Sequence, residues 1–181
     1  MTRGLWNAPE QYVETYWSRV PGMWLHGDWA SRDSEGFWYL HGRSDDTLNV
    51  GGRRIGPAEV EGVLLRHPAV DDAAAVGLPH PTRGEAIWCF VTGAGLASTA
   101  EWQEVLADEI AVRLGKPFRP EAVVALRDLP RTRSNKIARR IIRRVALGEE
   151  TGDLSGIANP GAIDSLRETL MGLVTAEGSS L

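Results

Sequence analysis

The chain has 181 residues and a formal net charge of −4, with 43% hydrophobic and 24% charged residues. This allows one or two small domains with a real core, and it excludes a disordered or fibrous chain. The single cysteine, Cys89, excludes an internal disulfide and a cysteine-built metal site, and the negative charge gives no global case for nucleic acid or an anionic membrane.

No apolar run approaches the ~20 residues needed to cross a bilayer. The N-terminus has neither a signal-peptide core nor an Arg/Ser-rich transit pattern, so the cytoplasm is the expected compartment. Cys89 sits in the apolar run AIWCFV and reads as a buried strand thiol. His26, His41, His67 and His80 are dispersed without metal-ligand spacing, and no metal site is expected from them.

In chain order, Glu10 to Arg19 reads as a short helix stopped by Pro21-Gly22. Met23 to Ala30 and Gly36 to His41 read as strands joined by the polar turn from Arg32 to Gly36. Five of the seven tryptophans, Trp6, Trp17, Trp24, Trp29 and Trp38, fall in this first part of the chain. So short a segment cannot bury them alone. Residues 1–43 therefore read as the trailing edge of a larger domain, the alternative being a small aromatic core packed on the rest of the chain.

Gly42-Arg43-Ser44-Asp45-Asp46 is a charged break and the expected domain boundary. Thr47 to Ile55 reads as a strand around Gly51-Gly52, one side of a hairpin. Pro57 opens a helix that ends at His67-Pro68. Val70 to Leu78 and Ala86 to Thr92 read as strands. Ser98 or Thr99 is expected to cap a helix over Ala100 to Leu114, and Val123 to Leu126 is a short strand. Ser134 to Ala146 reads as the last long helix and Pro160 to Leu170 as a weak one, with Ala176 to Leu181 frayed. The order predicts a compact α+β domain, residues 44–148, with helices against a small mixed sheet, followed by an extension over 149–181.

In the Ser134–Ala146 segment, Ile137, Ile141 and Val145 recur every fourth residue, and Lys136, Arg139, Arg140, Arg143 and Arg144 fill the other face. The arginines read as a solvated face; contact with phosphate or nucleic acid is the alternative. Lys136 stands in the turn Pro130–Asn135, where amide groups at a helix start would suit an anion. Asp28, at a strand end, is of the type that bridges ribose hydroxyls or closes a turn. Gly51-Gly52 fits a tight bend or a close ligand approach.

Two runs carry a resemblance: PRTRSNKIARR, Pro130 to Arg140, and HGDWASRDSEGFWYLHGRSDDTLNVGGRRIGPAEVE, His26 to Glu61. As a set they resemble the C-terminal part of AMP-forming acyl-CoA synthetases, in the adenylate-forming superfamily that includes luciferases and peptide-synthetase adenylation domains. The resemblance implies a mobile C-terminal lid, residues 44–148, preceded in 1–43 by the end of an N-terminal adenylation domain that would be the lid's partner. It implies Lys136 as the catalytic lysine, Asp28, Arg43 and Arg54 as nucleotide-binding residues, Asp45 as the hinge, and Gly52 as lining the path of CoA. ATP, CoA and Mg2+ are the implied cofactors, the metal being held mainly by the N-terminal domain. The tail GDLSGIANPGAIDSL is similar to the extension of acetyl- and propionyl-CoA synthetases, which implies a short-chain carboxylate. The family also implies a lysine acetyltransferase and deacetylase acting on Lys136. Two positions depart from its pattern: Asn135 stands where glycine is usual, and His26 where threonine is usual. A lid that loads a carrier protein and a non-catalytic interaction module are the competing readings.

Overall fold

The computed structural model describes residues 2–44, 46–94 and 101–177. The chain divides into two compact units, Met1–Asp45 and Asp46–Leu181.

The first unit holds helix α1 (Pro9–Tyr16) and the antiparallel pair β1 (Asp28–Arg32) and β2 (Trp38–Arg43). The first strand begins five residues later than Met23, and its register shifts between Trp29 and Ala30. Tyr16 stacks on Trp24 with ring centroids 5.2 Å apart. No described residue of this unit is buried. Trp6 is 94% exposed, Leu40 76% and Trp38 68%.

The second unit contains a five-stranded mixed sheet. Strands β3 (Leu48–Val50) and β4 (Arg53–Ile55) form a hairpin whose two-residue turn is Gly51-Gly52, with φ of +57° and +78°. Both turn positions need left-handed backbone, which glycine supplies without strain. Strands β5 (Asp72–His80) and β6 (Gly84–Thr92) pair in full antiparallel register. On the other edge of β6, β3 pairs at Gly84 and β7 (Ala122–Ala125) pairs in parallel from Trp88 to Val91. The central strands read as continuous apolar runs because both faces of the sheet are covered.

Helices α2 (Pro57–Leu64) and α3 (Glu101–Leu114) cover one face, burying Val60, Leu64, Leu106 and Ile110 against Ala73, Ala75, Ile87 and Cys89. Pro57 takes the first position of α2, and the Glu59 carboxylate accepts the Gly56 amide at 3.2 Å. The expected cap of α3 at Ser98 or Thr99 lies outside the described residues. Helices α4 (Arg139–Ala146) and α5 (Gly161–Glu177) cover the other face, burying Ile142, Ile163 and Leu166 against Ala74, Val76 and Phe90. The result is a helix–sheet–helix α+β fold. Among the described residues, no helix is long and apolar enough to cross a membrane.

Two expectations are corrected here. The basic helix starts at Arg139, not Ser134. Asn135 has φ +62°, which no helix accommodates, and residues 131–137 turn back as a hairpin instead. The weak terminal helix is, among the described residues, the longest, at 17 residues, because Ile163, Leu166 and Leu170 form a stripe that packs on the sheet.

Candidate functional site

Lys136 stands at the end of a three-residue hairpin loop. The Asn135 amide donates to the Thr132 carbonyl at 2.8 Å, closing a β-turn, and Asn135 then supplies the left-handed residue that returns the chain. The Thr132 amide donates to the Lys136 carbonyl, and the Ala138 amide to the Pro130 carbonyl, both at 2.8 Å. Thr132 Oγ1 accepts the Lys136 amide at 3.1 Å. Arg131 pairs with Asp72 and donates from Nη1 to the Asn135 carbonyl at 2.9 Å. Arg133, Ser134, Asn135 and Lys136 are all exposed. Among the described residues, the Lys136 ammonium has no hydrogen-bond or ion-pair partner. The expected helix-start anion site is corrected with the helix itself: α4 begins three residues beyond Lys136, and its cap, Ala138, offers no side-chain acceptor.

Three of the four arginines of α4, Arg139, Arg143 and Arg144, are anchored and do not form a solvated face. Arg139 donates from Nε and Nη2 to the two oxygens of Glu61, both at 2.6 Å. The Glu61 carboxylate, on a residue only 6% exposed, also accepts the Ala75 amide at 2.9 Å. The hydrogen bond to Glu61 holds the Arg139 guanidinium above its ordinary pKa, against the cost of burial. Arg143 donates to the Gly77 carbonyl at 2.8 Å, and Arg144 reaches the carbonyls of Glu150 and Thr151 at 3.3 Å. Arg140 remains exposed.

Gly52 and Arg54 share the β3–β4 hairpin, and both are exposed. A side chain built at Gly52 would meet nothing within 4 Å, so the left-handed backbone, and not packing inside this unit, requires glycine there. The Gly51 amide donates to the Arg83 carbonyl in the β5–β6 turn at 2.8 Å. Arg131, by contrast, is anchored on Asp72 at the far end of β5. The Gly52 hairpin and the Lys136 loop therefore sit at opposite ends of a nine-residue strand pair, about 25–30 Å apart at ~3.4 Å per residue.

In the first unit, the β1–β2 register sets Asp28 opposite Arg43. His26 Nδ1 meets Asp28 Oδ2 at 2.5 Å. The Arg43 guanidinium lies 3.4 Å from where a side chain on Gly27 would begin, so glycine at 27, with φ +89°, leaves it room. Ser44 Oγ donates to the Gly27 carbonyl at 3.0 Å. A cleft of about 400 Å³ is lined by Glu14, Arg19, His26, Gly27, Arg43 and Ser44. Asp45 lies outside the described residues. Among those described, no three His, Cys, Asp or Glu side chains converge to hold a metal ion.

Sequence reasoning missed the supporting residues: Glu61, Arg131 and Asn159. Glu61 carried a signal. It falls on the apolar stripe of α2 with Pro57, Val60 and Leu64, where a carboxylate must find a buried partner.

Comparison with known proteins shows what the chain is similar to. Residues 59–136 match the model of the AMP-binding enzyme C-terminal domain. That stretch of the chain is similar to this domain. It is 41% identical over 172 residues to acetyl-coenzyme A synthetase of Gemmatimonas aurantiaca, covering 93% of this chain and 26% of the relative. Among solved structures, acetoacetyl-CoA synthetase from Streptomyces lividans superposes with a TM-score of 0.80 at 26% identity, over 94% of this chain and 26% of that one. ATP-bound MatB from Rhodopseudomonas palustris superposes with a TM-score of 0.66 at 25% identity, over 78% and 27%. The chain thus spans about a quarter of the length of the curated relatives it matches. The AMP-binding C-terminal domain ends, in the matched range, at Lys136 itself.

Proposed function

We propose that this chain is the lid portion of an AMP-forming acyl-CoA synthetase that activates a short-chain carboxylate, acetate or propionate, and transfers the acyl group to CoA in the cytoplasm. The observation that carries this reading is Lys136: an exposed ammonium, unpartnered among the described residues, on a braced hairpin loop.

In the first half-reaction a carboxylate oxygen attacks the α-phosphorus of ATP, and pyrophosphate leaves with the bonding electrons. Carboxylate and phosphate are both anionic, so positive charge at the reacting oxygens is the main requirement, and no general base is needed. Lys136 supplies that charge as a mobile point cation. Asp28 accepts the ribose hydroxyls, which compete with His26 for its Oδ2. Arg43 and Arg54 contact the nucleotide. In the second half-reaction the CoA sulfur attacks the acyl carbon and AMP leaves. The lid turns about Asp45, withdraws Lys136 and brings Gly52 to the CoA path. Placement of Lys136 and Gly52 at opposite ends of β5–β6 supports this division, since one rotation exchanges one end for the other. The exposed Trp6, Trp38 and Leu40 of the first unit fit burial against an N-terminal adenylation domain. Lys136, exposed and unpartnered, is also accessible to a lysine acetyltransferase, and acetylation would remove the charge that adenylation uses.

The test is carboxylate-dependent ATP–pyrophosphate exchange by the full-length enzyme, followed by acyl transfer to CoA or to a carrier protein. Exchange with acetate or propionate and transfer to CoA are expected. Transfer only to a carrier protein, or no exchange with any carboxylate, rejects the reading.

A further inference from the structure

We propose that Asn159, in the segment after α4, is a positioning residue for Lys136, and that residues 156–159 brace the lysine loop for adenylation. The inference rests on the reading of Lys136 given above. The Asn159 side chain ties down the strand that enters the loop at three points. Its Oδ1 accepts the Arg131 amide at 2.8 Å. Its Nδ2 donates to Asp128 Oδ2 at 2.6 Å and to the Leu129 carbonyl at 2.9 Å. Backbone bonds continue the brace: the Arg133 amide donates to the Gly156 carbonyl at 3.0 Å and the Ala158 amide to the Arg131 carbonyl at 2.8 Å, with Thr132 bridged to Ile157. Arg131 carries the restraint onward through its bond to the Asn135 carbonyl, one residue from Lys136.

The loop needs this support because it has no core of its own. All four residues from Arg133 to Lys136 are exposed, so hydrogen bonds and not packing fix where the Lys136 backbone stands. Displacing a reacting group by about 1 Å can cost ~100-fold in rate. Only an amide satisfies the three contacts of residue 159, which call for one acceptor and two donor hydrogens. Aspartate has the same shape but sets an oxygen against the Asp128 carboxylate and the Leu129 carbonyl.

The experiment compares Asn159→Asp and Asn159→Ala with Lys136→Ala in the full-length enzyme. It follows both half-reactions and amide hydrogen exchange. Asn159→Asp is expected to lower adenylation about 10- to 100-fold and to leave thioester formation from supplied acyl-adenylate unchanged. The Asn135 and Lys136 amides should exchange faster while those of β5 and β6 keep their protection. Asn159→Ala, which removes the bonds without the repulsion, should show the smaller effect. Adding Asp128→Asn to Asn159→Asp restores a donor across the pair and should recover part of the rate. Unchanged loop exchange overturns the proposal. So does equal loss in both half-reactions with exposure of β5 and β6, or full adenylation despite a loosened loop. If Lys136→Ala itself adenylates normally, the reading of Lys136 has failed, and loop exchange alone still decides whether Asn159 is the brace.

Discussion

Arg139 grips both oxygens of Glu61, each at 2.6 Å, and so ties α4 to α2 over the edge of β5. The same carboxylate takes the Ala75 amide, so Glu61 has three donors and almost no water. Removing the guanidinium alone leaves a buried charge uncompensated. Arg139→Met should destabilise the domain by about 3 kcal/mol in urea unfolding. Arg139→Met with Glu61→Leu should recover most of that loss. An Arg139→Met protein as stable as the parent would show that the pair does not hold the two helices.

Cys89 is fully buried, and burial pushes its thiol pKa well above the ordinary value, with the nearby Glu61 charge adding to it. The folded state therefore keeps the proton that the unfolded state loses above about pH 8.5. The stabilisation is complete below that pH and declines as pH rises through it, by up to ~1.4 kcal/mol per unit. Stability measured from pH 7 to 10 should fall more steeply for the parent than for Cys89→Ala. The native thiol should also resist a disulfide reagent. Equal slopes, or a thiol that reacts without unfolding, would contradict the burial argument.

Asn135 occupies a left-handed position, φ +62°, where glycine costs nothing and alanine is strained. Asn135→Gly should keep full adenylation. Asn135→Ala should lose about 1 kcal/mol of stability and slow adenylation more than thioester formation. A larger defect in Asn135→Gly than in Asn135→Ala would mean that the side chain, not the backbone angle, matters at this position.

Gly52 faces open space within its own unit, so a side chain there costs only the strain of φ +78°. Gly52→Leu should lose about 1–2 kcal/mol of stability and obstruct the CoA path. A rise in KM for CoA with unchanged ATP–pyrophosphate exchange is expected. Loss of exchange with intact thioester formation would place this hairpin in the wrong half-reaction.

Much of the fold was legible in the sequence because local chemistry decided it. Two apolar runs with a turn between them gave β5 and β6, and Pro57 gave the start of α2. Thr47 to Ile55, read as one strand, is instead a complete hairpin, because both glycines take left-handed angles and fold the chain back between β3 and β4. The start of α4 was not legible. Ile137 continues the four-residue period of Ile141 and Val145, yet Asn135 turns the chain and Ile137 pairs with Arg131 in the hairpin. Four-residue spacing cannot tell a helix from a hairpin return that happens to align. The arginine face was misread for a related reason. Glu61 is 78 residues from Arg139, and no local pattern announces so distant a partner. The brace is likewise nonlocal, since Asn159 reaches back 31 residues to Asp128. Motif resemblance singled out Asp28 and Arg43 separately, and only the strand register sets them face to face.

The most direct test of the account is Lys136→Ala in the full-length enzyme, with the two half-reactions measured separately. Carboxylate-dependent ATP–pyrophosphate exchange should fall about 100-fold or more, while thioester formation from supplied acyl-adenylate and CoA stays near the parental rate. Equal loss in both, or exchange that survives the substitution, would contradict the assignment of Lys136 to adenylation and with it the two-ended lid.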